Sequence, residues 1–168
     1  MVFREMKAAE TGLLQDFLYD AIFVPEGSEP PDRTIVAEPE LILYHEGFGS
    51  EKADFCIVAE ESGRIIGAVW TRIMNDYGHI DDETPSLAIS LKREYRGKGI
   101  GTALMEKMLE LLRQQGYKQV SLSVQKGNTA VRMYERAGFR TVRENGGESI
   151  MVCALQIKKC GDAWENGI

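Results

Sequence analysis

The chain is short of several things, and each shortage closes a line of interpretation. No apolar run approaches bilayer thickness: Phe55–Ala59 and Ile150–Leu155 are strand-sized, so no membrane partner is expected. There are three cysteines, Cys56, Cys153 and Cys160, with no CxxC spacing, which argues against a disulfide framework or a structural zinc site. Cys56 and Cys153 lie in apolar runs and read as small buried hydrophobes. The two histidines, His45 and His79, are far apart and lack metal-ligand spacing, so no metal is expected. Positive charge is not in excess either: a net charge of −6 argues against broad nucleic-acid binding. Internal repeats and low-complexity tracts are missing, and the first residues, Met1 to Lys7, carry charges where a signal peptide would be apolar. The expected location is cytoplasmic.

What is present is an ordinary globular composition, 43% hydrophobic and 27% charged over 168 residues. One domain over residues 1–160 with a loose tail at 161–168 is expected. Charge is unevenly spread. Residues 1–83 carry 6 basic and 18 acidic side chains, and residues 84–168 carry 14 basic and 8 acidic. In a single domain that split predicts two differently charged surfaces.

Val2–Lys7 reads as an edge strand, and Thr11 is placed to N-cap a helix whose apolar face is Leu13, Leu14, Phe17 and Leu18. Residues 24–39 hold four of the five prolines and predict a long irregular loop, followed by a short helix at Glu40–Glu46. Asp54–Glu60 and Arg64–Arg72 form a predicted hairpin around Ser62-Gly63. Leu87–Leu91 is a short strand, and Ile100, Leu104, Met105, Met108, Leu111 and Leu112 recur at helical spacing up to Gly116. Val120–Val124 completes a βαβ unit. Asn128 is placed to cap a further helix ending at Gly138, and Phe139–Glu144 with Ser149–Ile157 form a last hairpin around Asn145-Gly146-Gly147. The sum is an α/β (α+β) fold, a mixed sheet of about seven strands with helices on both faces.

The informative segment is Arg96-Gly97-Lys98-Gly99-Ile100-Gly101, between a strand and an amphipathic helix. A helix start offers unpaired N–H donors and partial positive charge, the glycines let an anion approach the backbone, and Arg96 and Lys98 add cations. This chemistry suits a phosphate or pyrophosphate. The spacing is neither the P-loop's GxxxxGK[ST] nor the dinucleotide GxGxxG.

Read with Asn128, Tyr134 and Gly138-Phe139 downstream, the turn resembles the GNAT superfamily of acyl-coenzyme A N-acyltransferases. Its [Q/R]xxGx[G/A] signature is matched by Arg96, Gly99 and Gly101, and its second motif by Asn128, Tyr134, Gly138 and Phe139. The resemblance implies a mostly antiparallel sheet with a central, splayed parallel pair, Leu87–Leu91 beside Val120–Val124. It implies acetyl-CoA as co-substrate, with the pyrophosphate on the amides of Arg96, Gly97, Lys98, Gly99, Ile100, Gly101 and Thr102. The pantetheine arm would lie along Ile89, Ser90 and Leu91, near Asn128. It also implies an amine acceptor, a Tyr134 phenol that protonates the leaving thiolate, and the homodimers common in the family. Chemistry adds that the developing oxyanion needs a donor, for which the Leu91 amide is a candidate. It also asks for a carboxylate to take the ammonium proton. Family members often place a glutamate at the start of the strand that here begins Pro85-Ser86-Leu87. Glu83 is the nearest carboxylate, with Asp81 and Asp82 behind it and Glu60 and Glu61 as rivals. A coenzyme A-binding sensor or partner-binding module without catalysis is the alternative reading.

Overall fold

The computed structural model describes residues 1–155; the expected end of the last strand at Ile157, Cys160 and the tail at 161–168 lie outside the described residues. Seven strands form one sheet: β1 (Val2–Glu5), β2 (Phe55–Glu61), β3 (Arg64–Arg72), β4 (Ser86–Leu91), β5 (Gln119–Gln125), β6 (Arg140–Asn145) and β7 (Glu148–Ala154). Their spatial order is β1-β2-β3-β4-β5-β7-β6. Every neighbouring pair is antiparallel except β4 and β5, which are parallel. Helices α1 (Leu14–Ala21) and α2 (Pro39–Ile42) lie on one face, and α3 (Ile100–Gln114) and α4 (Val131–Ala137) on the other.

Alternation along the strands builds a core on each face. On one face α3 buries Leu104, Met105, Met108 and Leu112 against Val120, Leu122 and Met151, and Ile89 and Leu91 of β4 pack into the same cluster. On the other, Leu14, Phe17 and Leu18 of α1 pack on Val58, Ala68 and Trp70, with Ala88 of β4 beside them. The helical spacing of apolar residues in both helices is what makes each face continuous.

Two helix starts differ from the expectation. Thr11 does not cap α1: residues Ala8–Leu13 form a 3₁₀ turn first, and Thr11 Oγ1 donates to the Ala8 carbonyl. The chain turns earlier because the Glu10 carboxylate accepts from the Lys7 N–H at 2.8 Å and is gripped by Arg4. Asn128 does not cap α4 either. Its Oδ1 accepts from the Ala130 N–H at 3.0 Å, closing a local turn, and the helix begins at Val131. The long loop holds a 3₁₀ turn at Arg33–Ala37, and α2 ends at Ile42, four residues short of the expected limit.

The segment between α2 and β2 is pinned from within. Arg72 on β3 pairs with Asp54 at 2.9 Å and donates to the carbonyls of Leu43, Glu46 and Gly47, while Trp70 Nε1 donates to Tyr44 O. Both members of the ion pair are almost fully buried, so each depends on the other for its charge balance. Replacing Asp54 by Asn leaves a buried guanidinium without a counter-ion. The expected cost is about 3–5 kcal/mol, read as a lower denaturation midpoint at unchanged m value; a loss under ~1 kcal/mol would contradict the assignment.

Candidate active site

β4 and β5 touch at one register pair only, Ser86 with Ser121, where the Ser121 N–H donates to the Pro85 carbonyl at 2.9 Å. Beyond it the two strands part. Which backbone groups face the opening follows from the other side of β4. The Lys92 N–H donates to Ile66 O at 2.9 Å, and in an antiparallel ladder bonded and non-bonded pairs alternate. Ser90, Ala88 and Ser86 therefore exchange bonds with Ala68, Trp70 and Arg72. Ile89 and Leu91 turn their N–H and C=O groups toward the missing partner. The Leu91 carbonyl is taken by Arg96 Nε at 3.1 Å; the two amides and the Ile89 carbonyl face a cleft.

That cleft has a volume of about 990 Å³ and is walled by Ile89–Leu91, the glycine turn, α4, and the end of α1 with the strap that follows it, from Asp20 to Pro30. At its mouth, Gly99 adopts φ +80° as the residue preceding α3, a left-handed conformation natural to glycine. A Cβ there would meet no protein atom within 4 Å, so the space beside it is open. The first-turn N–H groups of α3, from Ile100 to Thr102, have no helical partner and give this end its partial positive charge. Gly101 is required for a different reason. A Cβ would lie 3.2 Å from Met133 Sδ and 3.4 Å from Leu91 Cδ1, so its absence lets α3 approach α4 and β4 closely.

Most of the residues singled out in the sequence meet here. Ile89, Ser90, Leu91, Arg96, Gly97, Gly99, Gly101, Thr102, Asn128 and Tyr134 all line the cleft. Arg96 is not a free cation, because Nη2 also donates to Asp20 O, bracing the end of α1 against the end of β4. Lys98 and Ile100 point elsewhere. Lys98 Nζ lies 5.5 Å from the centre of the Tyr95 ring, in a separate depression with Phe3 and Glu61, and Ile100 is core.

Tyr134 owes its place to the helix end. Gly138, at φ +107°, stops α4 in a left-handed turn, and the Phe139 N–H donates to Tyr134 O at 3.0 Å. Phe139 then packs edge-on against the Tyr134 ring, 6.1 Å between centroids. The Tyr134 ring is buried, and its hydroxyl makes no hydrogen bond among the described residues. Burial pushes its pKa up to about 12. The phenol is un-ionised at pH 7.

The carboxylates proposed from sequence are not at the cleft. Glu83 is exposed on its loop, and its N–H donates to Asp81 Oδ1, which also accepts from Thr84. Asp82 is exposed, Glu60 pairs with Arg4, and Glu61 lines the separate depression. The structure brings two other carboxylates beside the parted strands: Asp76, which accepts from Tyr44 and Ser86, and Glu148, which accepts from Ser123. No motif marks either. Among the described residues no group of three or more His, Cys, Asp or Glu is placed to hold a metal, and no helix is long and apolar enough to cross a membrane.

The sequence profile of the acetyltransferase (GNAT) family matches residues 18–139. The chain belongs to that family. Among curated relatives, it is 31% identical over 98 residues to mycothiol acetyltransferase of Propionibacterium freudenreichii subsp. shermanii, covering 58% of this chain and 31% of the relative. It is 37% identical over 95 residues to probable N-acetyltransferase camello of Xenopus tropicalis, covering 56% and 42%. The chain thus spans less than half the length of these two relatives. The GNAT fold is equally clear in solved structures. The PaiA N-acetyltransferase of Thermoplasma acidophilum in complex with coenzyme A matches with a TM-score of 0.68 at 19% identity, covering 91% of this chain and 98% of that one. The ribosomal-protein-S18-alanine N-acetyltransferase of Escherichia coli matches at 0.64 and 16% identity, covering 99% and 98%.

The environment of Tyr134 makes a measurable prediction. With a pKa of about 12, roughly one phenol in 10³ is ionised at pH 9. Difference absorbance between the wild type and Tyr134→Phe is expected to show no phenolate from this residue between pH 7 and 10; a transition near the ordinary value of 10.0 would contradict its burial.

Proposed function

We propose that the chain transfers an acetyl group from acetyl-CoA to a primary amine. The observation that carries this is the parting of β4 from β5 after one pair, which leaves the main chain of Ile89 and Leu91 facing a cleft that ends at the glycine turn. The residues present fit acetyl-CoA. The N–H groups of Ile100, Gly101 and Thr102, with the open space beside Gly99, would take the pyrophosphate. The Ile89 and Leu91 backbone would hold the arm in strand-like bonds, the Leu91 amide being the candidate oxyanion donor. Asn128 and Tyr134 form the opposite wall. Bound there, acetyl-CoA supplies the activated acyl group, and Tyr134 holds the proton that the leaving sulfur needs. Glu83, being exposed and away from the cleft, is not given a role.

The acceptor we assign is a cationic amine. Support comes from the charge split, with 18 acidic against 6 basic side chains in residues 1–83, the half that supplies the strap over the cleft. Asp20 at the end of α1 is neutralised by Lys92 at 2.7 Å, whereas Glu26 on the strap lines the cleft without an ion pair among the described residues. Such a surface concentrates cations, less so as salt shortens the screening length.

Three measurements test this reading. Acetyl-CoA at ~100 times Kd is expected to stabilise the fold by roughly 2.7 kcal/mol, and Gly99→Val to abolish that response; an unresponsive wild type would reject the binding site. Tyr134→Phe is expected to bind acetyl-CoA normally and lose on the order of 10²-fold in kcat, while unchanged turnover would remove the acid role. Thiol release across amines of charge +1, +2 and +3 is expected to favour the most cationic, with the preference shrinking at higher salt. Binding of acetyl-CoA with no thiol release from any amine would instead favour a coenzyme A sensor.

A further inference from the structure

At the parted strands the sheet has two faces, and Tyr134 occupies only one; Ser123 and Glu148, on the other, stand beside the cleft and are not among its lining residues. It belongs to the core cluster under α3, with Leu122 and Val124 of β5. By strand alternation Ser121 and Ser123 face the other side, as do Ser86, Ala88 and Ser90 of β4. On that second face Glu148 Oε2 accepts from Ser123 Oγ at 2.7 Å. Continuing the parallel register from Ser86 opposite Ser121 puts Ser123 opposite Ala88, one step into the parted region. Glu148 Oε1 makes no hydrogen bond or ion pair with any described residue, and the side chain is only partly buried. Asp76, on the same face, sits one step back at the closed end. Both of its oxygens are occupied, Oδ2 by Tyr44 at 2.7 Å and Oδ1 by Ser86 at 2.8 Å.

We infer that Glu148 is the group that takes the proton from the acceptor ammonium, with Ser123 as the residue that positions it. The inference rests on the acetyl-transfer reading above. An amine arriving on this face meets the thioester carbonyl from the side opposite Tyr134. The R–NH₃⁺ group gives one proton to the Glu148 carboxylate and becomes R–NH₂. Its nitrogen lone pair forms the C–N bond while the C–S electron pair leaves with sulfur. The thiolate takes the phenolic proton of Tyr134, the second ammonium proton restores the phenol, and Glu148 returns its proton to water. One acetamide, one thiol and one released proton balance the reaction. Asp76 with its two hydroxyl donors shapes the closed end and is not the proton acceptor.

The test compares two nucleophiles at pH 7: n-butylamine, which arrives protonated, and methoxyamine, which is already neutral. Glu148→Gln keeps the bond from Ser123 and removes the basic oxygen. It is expected to lose on the order of 10²-fold in kcat/KM with butylamine, with a loss at least tenfold smaller for methoxyamine and an acetyl-CoA thermal shift like that of the wild type. Equal losses with both amines, or none with either, would overturn the inference. Ser123→Ala, which leaves the carboxylate and frees its rotamer, is expected to show a smaller loss of the same selectivity. It serves as the deciding variant if Glu148→Gln does not fold. A butylamine-selective loss in Asp76→Asn that equals or exceeds that of Glu148→Gln would move the role to Asp76 and reject the assignment. A wild type that binds acetyl-CoA yet releases thiol with neither amine overturns the transfer reading itself, a result distinct from any of these.

Discussion

Everything about the site depends on one missing ladder. Two parallel strands at the centre of a sheet would ordinarily pair along their length, and each buried backbone group left without a partner costs about 1–3 kcal/mol. Here β4 and β5 share one pair and then diverge. The divergence is held by groups that grip the strands at their closed end. Ser121 donates to the carbonyls of Gly78 and Pro85, and Ser86 is fixed by Asp76. A Cβ on Gly78 would lie 3.3 Å from the backbone of Leu122 and Ser123, so glycine lets this loop lie directly on β5. The parted strands are also bridged by α3, whose buried face contacts β2, β3 and β4 on one side and packs with the β5 and β7 side chains of the same core on the other.

The elements that form the core were legible in the sequence because their periodicities are strong. The α3 spacing from Ile100 to Leu112, the β2–β3 hairpin, β6 and the start of β7 lie within a residue or two of their expected limits. The glycine turn and the Tyr134 helix were legible for the same reason. A left-handed Gly99, a close-packed Gly101 and a left-handed Gly138 each demand glycine at a fixed distance from a helix end. Such backbone constraints leave a mark that one sequence can show.

What the sequence did not display depends on side chains meeting across long separations. Ser123 and Glu148 are 25 residues apart, and Tyr44 and Asp76 are 32 apart. None lies in a run with unusual composition. Proximity along the chain points to carboxylates beside β4, such as Glu83 on its exposed loop, whereas Glu148 lies two strands away across the sheet and no run marks it. Arg96 is a milder instance. Its position in the motif was plain, but its bonds to Leu91 O and Asp20 O make it a brace between two walls as well as a cation.

The sheet also keeps the Tyr134 phenol apart from the Glu148 and Asp76 carboxylates. In contact, a phenol would donate its hydrogen bond to a carboxylate, as Tyr44 does to Asp76, where burial and the nearby charges of Asp76 and Glu148 raise the phenol well above its ordinary range. Tyr134 escapes that pairing because strand alternation puts its apolar surroundings, Leu122 and Val124, on one face, while Ser121, Ser123 and the carboxylates stand on the other. Its proton is held by burial alone, the one cause raising its pKa. A thioester lying between β4 and β5 would be open to both faces at once. The gap that costs the sheet its central hydrogen bonds would therefore let a bound group be approached from either face.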